Sequence, residues 1–337
     1  MNGYQRTKAA IEGFMPGRRP VMLHNFMMAA REAGFTMKQF RENPSVAAKS
    51  FIQAVETYHY DAIFVDIDTA TLAGAVGVPV DFPDDQPARS HAGCLPELAA
   101  FKDLEPVNIA EYRYAHNWIE AVRLLREYFG DEIYLRANCD QAPFALASMI
   151  RTPQQWFMDL IMDEESAHEL LQYCTDISCQ FIRLMADTKC HMVSNGDSPA
   201  GPEMISPAMY RKFALPYQKR VVDEAHQHRL AYTLHICGNT EAILLDMVET
   251  GADCLELDYK TDVRKIYDLC NKSVCFIGNI DPSGILALGT VRQVEKAVCE
   301  LLEVYKKSPR FILNAGCAIP AETPSENIKA MIQMVCS

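Results

Sequence analysis

Residues 231–239 read Ala-Tyr-Thr-Leu-His-Ile-Cys-Gly-Asn, a run of aromatic and β-branched residues closed by a glycine turn. That composition predicts a short strand over Tyr232–Cys237. A strand sends alternate side chains to one face, so His235 and Cys237 look the same way at its end. A third residue, Cys317, stands in Leu-Asn-Ala-Gly-Cys-Ala-Ile-Pro at residues 313–320. One imidazole and two thiolates fill three corners of a zinc tetrahedron and leave the fourth open, the pattern of a catalytic rather than a structural ion.

Working outward, short strand-like runs alternate with longer helix-period stretches along the whole chain, the pattern of a parallel sheet with helical crossovers. The predicted strands are 20–25, 62–66, 133–137, 192–195, 232–237, 254–257, 274–278 and 311–314. Eight such units predict an α/β chain folded as a single-domain (β/α)8 barrel over residues 1–337. The barrel also explains the ligand set, because His235 and Cys237 end strand five, Cys317 follows strand eight, and all three belong at the C-terminal mouth.

Helical signals fill the gaps. Pro44 and Ser45 open a stretch running to Tyr58, and residues 111–128 carry Tyr114, Trp118, Ile119, Val122 and Leu125 on one apolar face. Ser206 and Pro207 form a start signal before a helix over 209–226, and Thr290 caps one ending near Tyr305. The connection from Gly74 to Asn108 is rich in Pro, Gly and Asp and longer than an ordinary βα loop. On this face of a barrel it is expected to be a lid, a docking surface or a passive excursion.

Composition narrows the function classes. Lys plus Arg number 32 against 44 Asp plus Glu, a net charge of −12, with no basic run, which argues against nucleic acid as a partner. No apolar run reaches the roughly twenty residues of a membrane span, and Met1–Lys8 has no signal core behind its charges, so a cytoplasmic protein is expected. Twelve cysteines in such a chain read as reduced thiols or metal ligands, with Cys174, Cys179 and Cys299 as small core residues.

The motifs then resemble one superfamily. Gly196–Ser198 (Gly-Asp-Ser), Ile205–Pro207 (Ile-Ser-Pro), His235–Gly238 (His-Ile-Cys-Gly), Gly278–Pro282 (Gly-Asn-Ile-Asp-Pro) and Gly316–Pro320 (Gly-Cys-Ala-Ile-Pro) are similar to uroporphyrinogen decarboxylase-like proteins. Within that superfamily the likeness is to the zinc- and cobalamin-dependent methyltransferases, including the methylcobalamin:coenzyme M enzymes. The Arg-Gln-Ala-Gly-Arg-Tyr segment of the decarboxylases is replaced here by Asn25–Phe35, an apolar, methionine-rich turn suited to a smaller or less anionic substrate. Their Gly-His-Gly near the C-terminus is Gly316-Cys317-Ala318 in this chain.

The resemblance implies a zinc-dependent methyltransferase in which zinc acts as a Lewis acid while methylcobalamin or cob(I)alamin carries the methyl group. The chain has neither an Asp-x-His-x-x-Gly cobalamin signature nor a spare domain, so the corrinoid is expected on a separate protein. Transfer in either direction uses His235, Cys237 and Cys317 alike, with demethylation of a small methylated or methoxylated compound slightly favoured. The fourth zinc position falls to Asp258, with Glu256 as its alternative. Phe64–Asp68 resembles the decarboxylase run that holds an essential aspartate, so Asp66 is an expected catalytic carboxylate, and Asp197 another. His24, Asn25, Asn138, Asn195 and Asn279 are expected substrate-binding residues, with Cys139 and Asp140 further polar groups at the rim. The run from Arg136 to Pro143 departs from the glycine-rich segment expected of the coenzyme M enzymes. Two other readings are a porphyrinogen decarboxylase and a non-catalytic metal- or corrinoid-binding accessory protein.

Overall fold

The computed structural model describes residues 1–104 and 106–336; Glu105, inside the Gly74–Asn108 connection, and Ser337 lie outside the described residues. Eight parallel strands form the core: β1 (Met22–Leu23), β2 (Ala62–Val65), β3 (Tyr134–Gln141), β4 (Met192–Gly196), β5 (Ala231–Ile236), β6 (Cys254–Leu257), β7 (Cys275–Ile280) and β8 (Phe311–Ala315). Each pairs with its neighbours in chain order. A bridge between Val21 and Leu313, with the Leu313 amide donating to the Pro20 carbonyl at 2.9 Å, joins last to first. Parallel neighbours cannot be linked by tight turns, and helices make the crossovers, as the (β/α)8 expectation requires.

Alternation divides each strand between two environments. On β5, Tyr232, Leu234 and Ile236 join the large apolar layer under the helices, while Thr233 and His235 take the other parity. The lower barrel is filled by Met22, Ala62, Phe64, Tyr134, Met192, Cys254, Cys275, Ile277 and Ile312, and helix Gly3–Glu12 adds Ala10 and Ile11 to them. Above this apolar fill, inward positions such as His235 and Glu256 are polar.

The predicted helices recur with informative differences. Asn43 caps Pro44–Tyr58 by accepting from the Ser45 amide, and Thr290 forms a capping box with Gln293 before Val291–Tyr305. The helix expected over 111–128 occupies Arg113–Phe129, with Trp118, Ile119, Val122 and Leu125 buried. That expected over 209–226 breaks at Ala214 into Pro207–Phe213 and Leu215–Gln227, because Pro216 has no N–H to continue the first helix. Cys174 and Cys179 are buried as expected, whereas Cys299 is exposed, lying off the buried stripe Val294, Val298, Leu301 and Tyr305 of its helix.

The long connection after β2 is fastened down. Its ribbon, Val80–Asp81 against Arg89–Ser90, sits over a buried ion pair between Arg41 and Asp68. Asp68 also accepts from the Ala88 amide at 2.6 Å, and Arg41 donates to the Gln86 carbonyl at 2.9 Å. Further along, the Ile150 carbonyl accepts from the amides of Cys94 and Leu95. These anchors place Pro87 at the barrel mouth.

Candidate metal centre and substrate cavity

His235 sits near the end of β5, Cys237 one residue beyond it, and Cys317 just past β8. Their ligand atoms all lie within 4.8 Å of one another. His235 Nε2 is 3.0 Å from Cys237 Sγ, and Cys237 Sγ is 3.7 Å from Cys317 Sγ. The other imidazole nitrogen, Nδ1, is 3.0 Å from the Glu256 backbone carbonyl, which fixes Nδ1 as the N–H donor and frees Nε2 as a ligand.

Two glycines permit this approach. Gly238 turns the chain in the left-handed region, φ 85°, immediately after Cys237, and its amide donates to Asp258 at 2.9 Å. Gly316 runs so close to the β6 loop that a Cβ there would lie 2.7 Å from the Tyr259 amide nitrogen.

The three groups share charge among themselves. The Cys237 thiol is pushed down to about 3, first by its hydrogen bond from Cys317 and then by His235, against burial that works to raise it. Cys317 is driven upward by the same contact with Cys237 and by burial. Burial works to lower His235, yet the charge and hydrogen bond of Cys237 outweigh it and lift the imidazole to about 9.

The centre opens into a cavity of about 270 Å³ at the C-terminal mouth. Its far wall comes from β1 to β3. His24 Nε2 is 2.7 Å from Asp66 Oδ2, while Asp66 Oδ1 accepts from Asn138 Nδ2 at 3.0 Å and from the Ile67 amide at 3.0 Å. Asp140 also lines the cavity, where an irregularity in β3 between Asn138 and Gln141 re-aims the strand. Asp140 has φ 59°, and its Oδ2 accepts from the Leu72 amide at 2.7 Å. Phe26, Met27, Phe64, Pro87 and Ala318 supply the apolar lining.

Below, joining the two walls, Arg136 of β3 and Glu256 of β6 form a fully buried ion pair at 2.8 Å. The guanidinium lies 3.6 Å from the Phe64 ring centroid, and Glu256 also accepts from Asn314 Nδ2 at 2.8 Å. Burial works to raise the Glu256 carboxyl, but Arg136 foremost, with His235 and His24, holds it below its ordinary value.

The uroporphyrinogen decarboxylase (URO-D) family model matches residues 3–337. The chain belongs to that family. Among curated proteins, methylcobamide:CoM methyltransferase MtbA of Methanosarcina acetivorans is 33% identical over 215 residues, which is 64% of this chain and 61% of the relative. The likeness thus spans about three-fifths of that relative's length. Uroporphyrinogen decarboxylase of Synechococcus sp. (strain CC9902) is 27% identical over 324 residues, 88% of each chain. Among solved structures, a methyltransferase from Methanosarcina mazei superposes with a TM-score of 0.91 at 21% identity, covering all of this chain and 98% of its own. That likeness establishes the barrel fold.

The residues expected at the site divide. His24, Asp66, Asn138, Asn195, His235, Cys237, Cys317 and the alternative ligand Glu256 all line the cavity. Asp258, the expected fourth ligand, is not among the grouped metal ligands, because its two carboxylate oxygens cap the amides of Gly238 and Lys260. Asp197 also lies off the cavity wall: it is fully buried, accepting from the Ala145 amide at 2.7 Å and Gln218 Nε2 at 2.6 Å. Asn279 donates to the carbonyls of Asp258 and Thr261, and Asn25 is buried under the first turn of Phe26–Glu32; neither lines the cavity. Asn195 is held to the wall by contacts to the Cys139 carbonyl and the Tyr232 hydroxyl.

Sequence reasoning missed Arg136 as a partner of Glu256. The available signal was a lone arginine at the inward parity of a strand, which must find a counter-charge when buried.

Proposed function

We propose that this protein is a zinc-dependent methyltransferase that moves a methyl group between a small methylated or methoxylated molecule, or a thiol acceptor, and the cobalt of a separate corrinoid protein. One observation carries the reading: an imidazole and two thiols from the ends of β5 and β8 meet at a cavity open at the barrel mouth. The sequence likeness to methylcobamide:CoM methyltransferases supports it.

The donor set fits zinc. Ordinary Zn–S and Zn–N lengths place two thiolates of a tetrahedral site about 3.8 Å apart and a thiolate about 3.6 Å from an imidazole nitrogen. The sulfurs stand at 3.7 Å already, and the 3.0 Å between His235 and Cys237 needs only a small opening. When bound, zinc supplies a Lewis acid that favours the thiolate of a bound thiol or polarises a methyl-bearing heteroatom.

The chain's own residues do the rest. The Glu256 carbonyl keeps the imidazole in the ligating tautomer. His24, Asp66 and Asn138 present hydrogen-bonding atoms across the cavity and hold the substrate's other end. Phe26, Met27, Phe64 and Pro87 exclude water from the space between. Asp66 keeps a substrate-facing role in this reading, and Asp197 acts through the backbone it anchors. The corrinoid protein docks over the rim, with the connection after β2 as part of that surface.

A porphyrinogen decarboxylase handles a substrate with many carboxylates and would need cations to receive it. Among the described lining residues the one guanidinium, Arg136, is spent on Glu256.

Elemental analysis of protein purified without added metal tests the proposal. About one zinc per chain, lost in both His235→Ala and Cys317→Ser, is expected, together with methyl exchange with a corrinoid carrier by the parent protein alone. Metal-free parent protein that decarboxylates porphyrinogens would refute it.

A further inference from the structure

We infer that the small molecule accepted by this cavity is uncharged or cationic and offers an N–H or O–H donor to Asp140, so that sulfonates and carboxylates are disfavoured. The inference rests on the methyl-transfer reading, which supplies the metal end of the site.

Three carboxyl groups line the cavity, Asp66, Asp140 and Glu256, together with two imidazoles, His24 and His235. The single guanidinium, Arg136, has no exposed surface, is paired to Glu256 at 2.8 Å and is covered by Phe64, so it has nothing left for an incoming anion. No lysine lines the space among the described residues. A divalent ion held by Cys237, Cys317 and a neutral imidazole adds no charge either, since two thiolates cancel it. An anion entering here would lose its hydration and meet no free cation, since the remaining imidazole, His24, is already paired to Asp66 at 2.7 Å.

A second, independent observation concerns hydrogen bonds. Asp140 is 1% exposed, and its Oδ1 has no partner although the residue lines the cavity. The nearly buried His24 likewise has Nδ1 without a partner. Buried polar atoms left unpaired are uncommon and mark places where a ligand completes the network. Asp140 is also held in the left-handed region, a conformation that costs energy and collects at binding sites. Burial raises the Asp140 carboxyl well above its ordinary value, against the Leu72 amide bond that lowers it, so the ionised form needs a donor at Oδ1. A substrate N–H or O–H, an ammonium above all, supplies that donor, whereas a sulfonate or carboxylate brings only acceptors and a like charge.

The test uses cobalt(II)-loaded protein and three thiols of similar size: cysteamine, 2-mercaptoethanol and 2-mercaptoethanesulfonate. Binding is followed by the change in cobalt–thiolate absorbance and by calorimetry, with each affinity corrected for the thiol's own ionisation. Cysteamine and 2-mercaptoethanol should bind at least tenfold more tightly than the sulfonate. Asp140→Asn, a substitution that tolerates the left-handed backbone and keeps an acceptor for Leu72, should bring cysteamine to within about threefold of the sulfonate. Sulfonate binding as tight as cysteamine in the parent protein overturns the inference while leaving the metal centre intact. Failure of all three thiols to perturb the cobalt spectrum removes the metal-end reading, and this inference with it.

Discussion

Replacing Glu256 by glutamine should destabilise the protein far more than its modest change in shape suggests. The side chains of Glu256 and Arg136 have no exposed surface, so both charges have been stripped of water. The 2.8 Å contact, the Asn314 hydrogen bond and the Phe64 ring face replace that hydration. Glutamine keeps an acceptor for Asn314 but strands the guanidinium as an uncompensated charge, which typically costs about 3–5 kcal/mol. Arg136→Met strands the carboxylate and should cost about as much. The double variant buries no charge, and should recover to within about 1–2 kcal/mol of the parent. Reversible urea unfolding of the four proteins measures the cycle, with similar m-values showing that the unfolded states are comparable. Zinc content should stay at one per chain in Glu256→Gln, because the closer contact to His235 Nδ1 is the Glu256 backbone carbonyl at 3.0 Å, against 3.6 Å for the carboxylate, and the carbonyl is untouched by the substitution. If both single variants cost less than about 1 kcal/mol, the two charges do not depend on each other for burial and the reasoning fails.

Two further predictions concern the framework. Gly316→Ala would place a methyl carbon 2.7 Å from the Tyr259 amide nitrogen, forcing the Cys317 loop outward; zinc affinity should fall at least tenfold, while Gly77→Ala, whose added carbon meets nothing within 4 Å but whose φ of 93° strains the backbone, should cost stability and leave zinc affinity unchanged. Burial drives the Asp197 carboxyl up to about 7, against hydrogen bonds from Gln218 and Ala145 that lower it. The folded protein therefore binds the extra proton between about pH 4, where an unfolded aspartate titrates, and about pH 7, so this group's favourable contribution is complete at low pH and is lost as pH rises through that window. Asp197→Asn should flatten the thermal-stability profile over the same range by an amount approaching about 4 kcal/mol, three units at 1.36 kcal/mol each. His191, lowered to about 4 chiefly by burial, contributes the opposite slope, stability being lost as pH falls from about 6.5 toward 4, but it does so in both proteins and cancels in the comparison.

The barrel was legible because each strand carried its own signal. Tyr232–Cys237 showed alternation and a glycine stop, and the eight predicted runs all correspond to strands. The His235, Cys237 and Cys317 constellation followed from that topology, since residues at the ends of strands five and eight must meet at one mouth. What remained hidden depended on hydrogen bonds between elements. Asp258 and Asp197 look like site carboxylates in sequence, yet the oxygens of Asp258 accept from the Gly238 and Lys260 amides, and those of Asp197 from the Ala145 amide and the Gln218 side chain. The break at Ala214 was readable in principle from Pro216, but the apolar periodicity continues across it and masked the interruption. The length of β3 was hidden too, because an irregular strand segment has no simple period to read.

The Arg136–Glu256 pair also links the two halves of the cavity. β5 and β8 deliver soft ligands on one side, while β1, β2 and β3 deliver the Asp66 and His24 network on the other. Arg136 rises from the substrate wall, and Glu256 supplies both its own carboxylate to Arg136 and its carbonyl to His235. Glu256 thus reaches His235 Nδ1 most closely through its carbonyl, at 3.0 Å, with a carboxylate oxygen 3.6 Å from the same nitrogen, and reaches Arg136 through that carboxylate. Cys317 takes part in neither contact, so under the methyl-transfer reading a change of donor at position 317 alters the chemistry at the mouth without dismantling the polar floor. Conversely, a substitution at Asp140 can retune substrate charge while His235 keeps its orientation.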